Sequence, residues 1–418
     1  MEVWFGRLSC LLSNTFQGGA ALSALYIGID VSKDFSTAQA IDGNGNKCFY
    51  LELAMTADGF SQLLKAITSH GKDIAQVTVA MESTGCYHIN LFSFLTYKGI
   101  RCVIINPLLT ANFARLSLRK TKTDKKDALT IAQFLLVHKD SLLKTDLSPD
   151  LQDLKDLARE HESLTNLIAG MKNDIRRMLQ ITFPELESIC NIFSETILDL
   201  LRQFPSARLI KIAKPNTIAK ALLHEDKRKK TSVSAEDIIK AAKASVASHG
   251  AAKEIILPEK ISTLQHLIEK KGRMKKVLVE ACEAMMVEDI EIITSIGGIS
   301  NITASRLLAE IGDYRAFSTY KHLIAFAGLD PSVHQSGKFE GISRISKRGN
   351  RHLRYIIYLM TTCVVRGNNI FRSYYDKKRA EGQPFKKAIM ATAHKLIRVL
   401  FAMLSKRTTY KSKEVNAI

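Results

Sequence analysis

The chain has 418 residues, 46% of them hydrophobic, a formal net charge of +19 and seven cysteines. That length suits two or three domains, each with its own core, and the charge calls for a polyanionic partner, usually nucleic acid. The cysteines, at 10, 48, 86, 102, 190, 282 and 363, form no C-x-x-C pair and no zinc-spaced cluster, which argues against a disulfide scaffold and for reduced thiols in a cytoplasm.

In chain order, residues 1–24 read as a poorly ordered leader rather than a signal peptide. Strands are expected at 25–31, 35–41 and 47–54, the last two joined by the turn Asp42-Gly43-Asn44-Gly45-Asn46. A helix at 57–70, a strand at 76–82, a helix at 87–98, a strand at 101–106 stopped by Asn106-Pro107, and a helix at 124–138 complete this region. Three meandering strands followed by alternating helix and strand is the order of a ribonuclease H-like α/β domain. From 147 the period changes: Leu154, His161, Ile168 and Ile175 alternate with Leu157, Leu164, Met171 and Met178 at 4,3 spacing. This is either a coiled-coil arm through which chains associate or a long core helix. Further helices with a basic run, Lys227-Arg228-Lys229-Lys230, follow to 285. From 288 a mainly α domain begins, with the turn Gly297-Gly298 in a helix-hairpin-helix-like setting suited to a DNA phosphate, and it ends near 405 in a basic tail, 406–418. No uninterrupted apolar run approaches a membrane span, the longest being 355–365.

The chemistry concentrates in two places. Asp30 ends an apolar strand, Glu82 ends another, and Asp124 and Asp127 share one face of a helix start. Four carboxylates in this order suit Mg²⁺ or Mn²⁺, hard cations that prefer oxygen ligands and promote phosphodiester chemistry. Taken singly, each acid reads equally well as a strand-end or helix-capping residue. The second place is the last fifth of the chain: residues 338–418 hold 19 Lys and Arg against 4 Asp and Glu, or +15 of the +19. There Lys338, Arg344, Lys347, Arg348, Arg351 and Arg354 are expected to contact nucleic-acid phosphates. Ser336, followed by Gly337, reads first as a turn serine on its residues alone.

Four blocks change that reading: Gly28-Ile29-Asp30-Val31-Ser32-Lys33, Met81-Glu82-Ser83-Thr84-Gly85, Lys122-Thr123-Asp124-Lys125-Lys126-Asp127-Ala128, and Ala327-Gly328-Leu329 through Gly349-Asn350. Together they resemble the insertion-sequence one-ten family of DEDD transposases, related to the Piv DNA invertases. The resemblance covers about 25 to 405. It implies a RuvC-like catalytic domain at 25–140, a helical arm at 147–285 and a C-terminal transposase domain at 288–405. It also implies a recombinase that cuts and rejoins DNA with Asp30, Glu82, Asp124 and Asp127 on Mg²⁺ and with Ser336 as nucleophile. A structured bridge RNA and a homodimer assembling to a tetramer are the implied partners. The block Gln335-Ser336-Gly337-Lys338 stands where the family usually has Ser-Ser-Gly-Gly. A RuvC-like structure-specific nuclease hydrolysing DNA junctions with the four acids alone, or a DNA invertase, is the alternative.

Overall fold

The computed structural model describes residues 24–70, 73–82, 85–105, 107–114, 124–142, 149–222, 233–248, 250–332, 335–336, 339–340 and 344–411. The expected leader, the basic run at 227–230 and Lys338 lie outside them. The chain divides into two units, one ending at Pro149 and the other starting at Asp150.

The first unit is a five-stranded sheet in the order β3-β2-β1-β4-β5. Its strands are β1 (Leu25–Asp30), β2 (Phe35–Ile41), β3 (Lys47–Ala54), β4 (Val77–Glu82) and β5 (Arg101–Ile105). The first three form an antiparallel meander, whereas β4 and β5 run parallel to β1. The β2–β3 turn closes as its residues predict, the Asp42 carboxylate accepting the N–H groups of Asn44 at 2.9 Å and Asn46 at 2.8 Å. Helices α1 (Ala57–His70) and α2 (His88–Tyr97) cover one face, burying Leu63, Ile67, Leu91 and Leu95 against Ile27, Ile29, Val79 and Met81. Of the next two helices, α3 (Pro107–Ala114) and α4 (Asp124–Leu142), α3 was not foreseen, although Pro107 at its first position is a helix-start signal. The other face packs on α4, through Tyr26, Ala80 and Val103 against Ile131, Ala132 and Leu135.

Gly28 sets how closely α4 can lie. A Cβ there would stand 2.2 Å from the Ala128 carbonyl oxygen and 2.3 Å from the Ala132 nitrogen, both backbone atoms that cannot yield cheaply. Gly28→Ala should therefore destabilise the first unit by about 3 kcal/mol through overpacking. Amide hydrogen exchange in β1 and α4 reads the effect, and unchanged protection would show that the helix can shift.

The second unit begins with α5 (Pro149–Thr182), followed by five short helices: α6 (Leu186–Ile189), α7 (Glu195–Gln203), α8 (Ala207–Ile212), α9 (Pro215–Ala221) and α10 (Ala235–Lys243). The long α11 (Ala251–Thr294) then runs back along α5. Lys270 pairs with Glu160 at 2.8 Å and Lys260 with Asp174 at 2.7 Å, so the numbers rise on one helix as they fall on the other. The 4,3 stripe is buried within its own chain. Ile168, Ile175 and Met178 share a core with Leu257, Ile261 and Leu264, and Leu154 and Ala158 share another with Leu278 and Cys282. Of the two readings of this stripe, the long core helix is the one the fold realises.

His161 sits in that stripe, 7% exposed, with its Nδ1 lacking a hydrogen-bond partner. Burial, then the positive charges of Arg306, Lys271 and Lys275, lower its pKa to about 4. As pH falls below about 6.5 the unfolded chain takes up a proton that the folded chain refuses until about pH 4, so stability falls across that window. The expected loss is on the order of 3 kcal/mol. Urea titrations at a series of pH values should show it, and His161→Leu should flatten the slope.

The remaining elements are α12 (Asn301–Ile311), α13 (Tyr320–Phe326), four two-residue strands, and α14 (Arg351–Gly367), α15 (Asn369–Ala380) and α16 (Phe385–Lys406). The strands are β6 (Pro331–Ser332), β7 (Gln335–Ser336), β8 (Phe339–Glu340) and β9 (Arg344–Ile345). The Gly297-Gly298 turn lies against the end of α14, where a Cβ on Gly298 would meet the Cys363 carbonyl oxygen at 2.8 Å. Close helix packing accounts for that glycine without any phosphate.

The longest uninterrupted apolar run stays short of a membrane span, but one helix passes by average composition. Helix α16 is long and apolar enough by composition, at a mean hydropathy of 1.4 in its best window, because Lys395 and Arg398 interrupt the run without lowering the average enough. Half of that window is buried in the protein, where Leu396, Ile397, Leu400 and Leu404 join the core with α12 and α14. Residues 406–410, expected to begin a basic tail, are also tied down. Arg407 pairs with Glu288 and Asp289, and the Tyr410 N–H donates to Ser295 Oγ at 2.8 Å.

Candidate functional site

The sheet brings the first two acids together. The register pairs Ile29 of β1 with Met81 of β4, so the next residues, Asp30 and Glu82, stand side by side on parallel strands. Neighbouring strands lie about 4.8 Å apart, and with a side-chain period of two both acids share the face that carries Tyr26 and Ala80, the α4 face.

Helix α4 brings the other two to the same end. The Lys139 ammonium lies 5.9 Å from the Tyr26 ring, while the Ala128–Ala132 backbone crosses Gly28. The helix therefore runs back along β1, and its first turn, with Asp124 and Asp127, reaches the Asp30 end of the sheet. Asp30, Glu82 and Asp127 are half-buried and Asp124 is exposed.

Two further contacts escaped sequence reasoning. Thr110, buried on α3, donates its hydroxyl to Glu82 and so orients that carboxylate. Glu52 stands in the same row as Asp30, because it pairs with Thr37 and Thr37 pairs with Asp30. Its carboxylate accepts the Tyr50 hydroxyl, and that bond raises the Tyr50 pKa. The Lys125 ammonium, from the first turn of α4, lies 4.3 Å from the Tyr50 ring. Only the period-two position of Glu52 on a half-exposed strand could have pointed to it.

In kind, the donors fit a hard divalent cation: carboxylate oxygens alone, on one face and at one end of a sheet. Among the described residues, no three acid, thiol or imidazole side chains converge closely enough to share an ion as they stand.

The serine stands in the second unit. Its backbone belongs to a nested hairpin, in which β6 pairs with β9 and β7 with β8, and Ser336 is opposite Phe339 in the last pair. The foot of this hairpin is closely held. Ser346 donates its N–H to the Asp330 carbonyl at 2.8 Å and its hydroxyl to the Asp330 carboxylate at 2.6 Å. The Asn350 N–H donates to the Phe326 carbonyl at 2.7 Å, and Gly349 lies so close to Gly328 that a Cβ on it would meet the Gly328 nitrogen at 2.3 Å.

Asn350 also links the hairpin to the unit's interior. It caps α14 by accepting the His352 and Leu353 N–H groups, and its amide donates to Glu310 at 2.6 Å. Glu310 is 1% exposed and pairs with Arg159 of α5 at 2.8 Å. Burial alone would raise its pKa, but the bonds from Arg159 and Asn350 hold it below the usual carboxylate range. Glu310→Ala should cost about 2 kcal/mol or more by stranding Arg159 and Asn350. Chemical denaturation measures this, and a neutral result would mean water replaces the carboxylate.

The expected phosphate contacts divide. Lys347, Arg348 and Arg351 are exposed, whereas Arg354 donates to the Ala327 carbonyl at 2.9 Å and so braces the hairpin foot. Lys338 lies outside the described residues, and Arg344 is placed by its backbone alone, opposite Ser332. Lys347 adopts a left-handed φ of 55°, a strain of roughly 1 kcal/mol that its N–H bond to the Gly328 carbonyl at 3.1 Å helps to hold.

Comparison with known proteins agrees with both units. A DEDD transposase model of the IS110 type matches residues 27–184, and the model of the transposase IS116/IS110/IS902 family matches 290–376. The chain is 24% identical to the 43.6 kDa protein of insertion element IS110 from Streptomyces coelicolor, over 93% of this chain and 96% of that one. It is 26% identical to the 42 kDa protein of insertion element IS900 from Mycobacterium paratuberculosis, over 92% and 97% respectively. It is 23% identical to the pilin gene-inverting protein of Moraxella bovis, over 94% and 99%. With both of its units matched and full-length relatives of these two kinds, the chain belongs to the IS110/IS116 family of insertion-sequence transposases.

Proposed function

We propose that this transposase cuts and rejoins DNA using Asp30, Glu82, Asp124 and Asp127 as a Mg²⁺ or Mn²⁺ site and Ser336 as the nucleophile. The observation that carries the reading is the convergence of Asp30 and Glu82 on adjacent strand ends beneath the first turn of α4. A bound divalent ion would polarise the scissile phosphate and stabilise the departing oxygen. The chain's own part is to hold the carboxylates there, Glu82 through Thr110, and to present a hydroxyl. In the step proposed, Ser336 Oγ forms a bond to phosphorus as the bond from phosphorus to the sugar oxygen breaks. The hydroxyl proton leaves to a base and the departing sugar oxygen gains one. The phosphoserine ester keeps the bond energy, so a strand hydroxyl can later displace the serine without ATP.

Family resemblance adds a bridge RNA and dimers assembling to a tetramer, and the scattered cysteines suit work in a reducing cytoplasm. Sequencing RNA that copurifies with the chain from its host tests the guide, and light scattering with and without that RNA tests assembly. The function itself is tested by incubating the chain with Mg²⁺ and DNA carrying the element ends. Joined strands support a recombinase, and cut ends that never rejoin would support a hydrolytic nuclease.

A further inference from the structure

A groove of about 1010 Å³ opens beside the foot of the serine hairpin, between it and helices α15 and α16. Five cations line it, Lys347, Lys378, Lys386, Lys387 and Arg398, with no acid among its described lining residues. Lys347, Lys386 and Lys387 are exposed and make no ion pair among the described residues, while Lys378 is paired with Glu381 at 2.7 Å. Like charges gathered at one groove repel one another, a cost that a polyanion removes. The floor is different, being formed by Leu329, Ile345, Met390 and Ala391. A nucleic-acid strand has both matching parts, phosphates for the cations and sugars for the apolar floor.

We infer that this groove carries a single strand of DNA to the hairpin that bears Ser336, gripping it by its phosphates without reading its bases. The choice of DNA rests on the function proposed above, since the groove is built partly from the hairpin foot, through Leu329, Pro331, Ile345 and Lys347. The lack of base reading follows from the scarcity of side chains free to hydrogen-bond a base edge, His394 donating its Nε2–H to the Leu329 carbonyl at 3.0 Å. Tyr374 holds the Lys395 ammonium 4.7 Å and the Lys378 ammonium 5.7 Å from its ring, so the ring positions cations where a stacking platform would leave a face for a base. Gln383 is the one side-chain amide among the described lining residues. Phosphate contacts hold a strand in place but carry no sequence information.

The test uses the full-length chain with Ser336→Ala, so that binding is measured without cleavage, and labelled single-stranded DNA of two unrelated sequences. Adding Lys386→Gln and Lys387→Gln should weaken both DNAs equally, on the order of tenfold at moderate salt. The log–log salt slope should become shallower by about 1.4, two contacts' worth on a single strand. Both lysines are exposed, so thermal melting should be unchanged. An unchanged slope would overturn the groove, a loss confined to one sequence would overturn phosphate-only binding, and a loss confined to an RNA of equal length would overturn the assignment to DNA. Failure of the serine reading shows separately, as no DNA-linked protein from the chain that retains Ser336.

Discussion

Ser336→Ala should eliminate the covalent link between protein and DNA and lower strand joining by on the order of 10⁴-fold or more, while DNA binding persists. The size of the effect follows from the role: a hydroxyl that forms the intermediate has no substitute in a methyl group. Quenching the reaction in denaturant and looking for protein that carries labelled DNA reads this directly. Ser346 supplies the control. Its hydroxyl is committed to Asp330 at 2.6 Å, so Ser346→Ala should loosen the foot of the hairpin yet leave the covalent species in place. An adduct that survives Ser336→Ala would move the nucleophile elsewhere, and a wild-type chain that cuts DNA with no adduct would favour hydrolysis by the acids alone.

Neutralising the acids one at a time, as Asp30→Asn, Glu82→Gln, Asp124→Asn or Asp127→Asn, should reduce Mg²⁺-dependent strand transfer by roughly 10²- to 10⁴-fold. Removing a negative charge from a crowded face should not lower stability in metal-free buffer, because repulsion among the remaining carboxylates is relieved. Mg²⁺ should raise the melting temperature of the wild type and do so less in each variant, which measures the site without any DNA reaction. Wild-type activity in Asp127→Asn would remove that residue from the metal set. Thr110→Val makes a milder case, since Glu82 would keep its charge and lose the hydroxyl that orients it. Activity should fall less than in Glu82→Gln.

Much of the first unit was readable from local pattern. Alternating strands, the Asp42–Asn46 turn and the helix at 57–70 follow from short-range preferences that the folded chain had no reason to override. The same holds for the order of the acids, which the strand ends and the start of α4 fix in sequence. The direction of α4 along β1 was not readable. It depends on Gly28 admitting the helix backbone, a contact between residues about a hundred positions apart.

In the second unit, the sequence by itself determined that a long 4,3-patterned helix and a strongly basic last fifth exist, because side-chain period and charge are properties of the chain before it folds. Tertiary structure decided what each one faces. The pattern at 154–178 looks the same whether its partner is a second chain or α11, and only the pairing of Lys260 with Asp174 and of Lys270 with Glu160 identifies α11. The cations divide for the same reason. Arg354 and Arg407 are committed to a carbonyl and to carboxylates, while Lys347, Lys386 and Lys387, from a loop and a helix far apart in sequence, come to line one groove. Net charge sums over residues regardless of position, whereas a binding surface depends on where folding puts each of them.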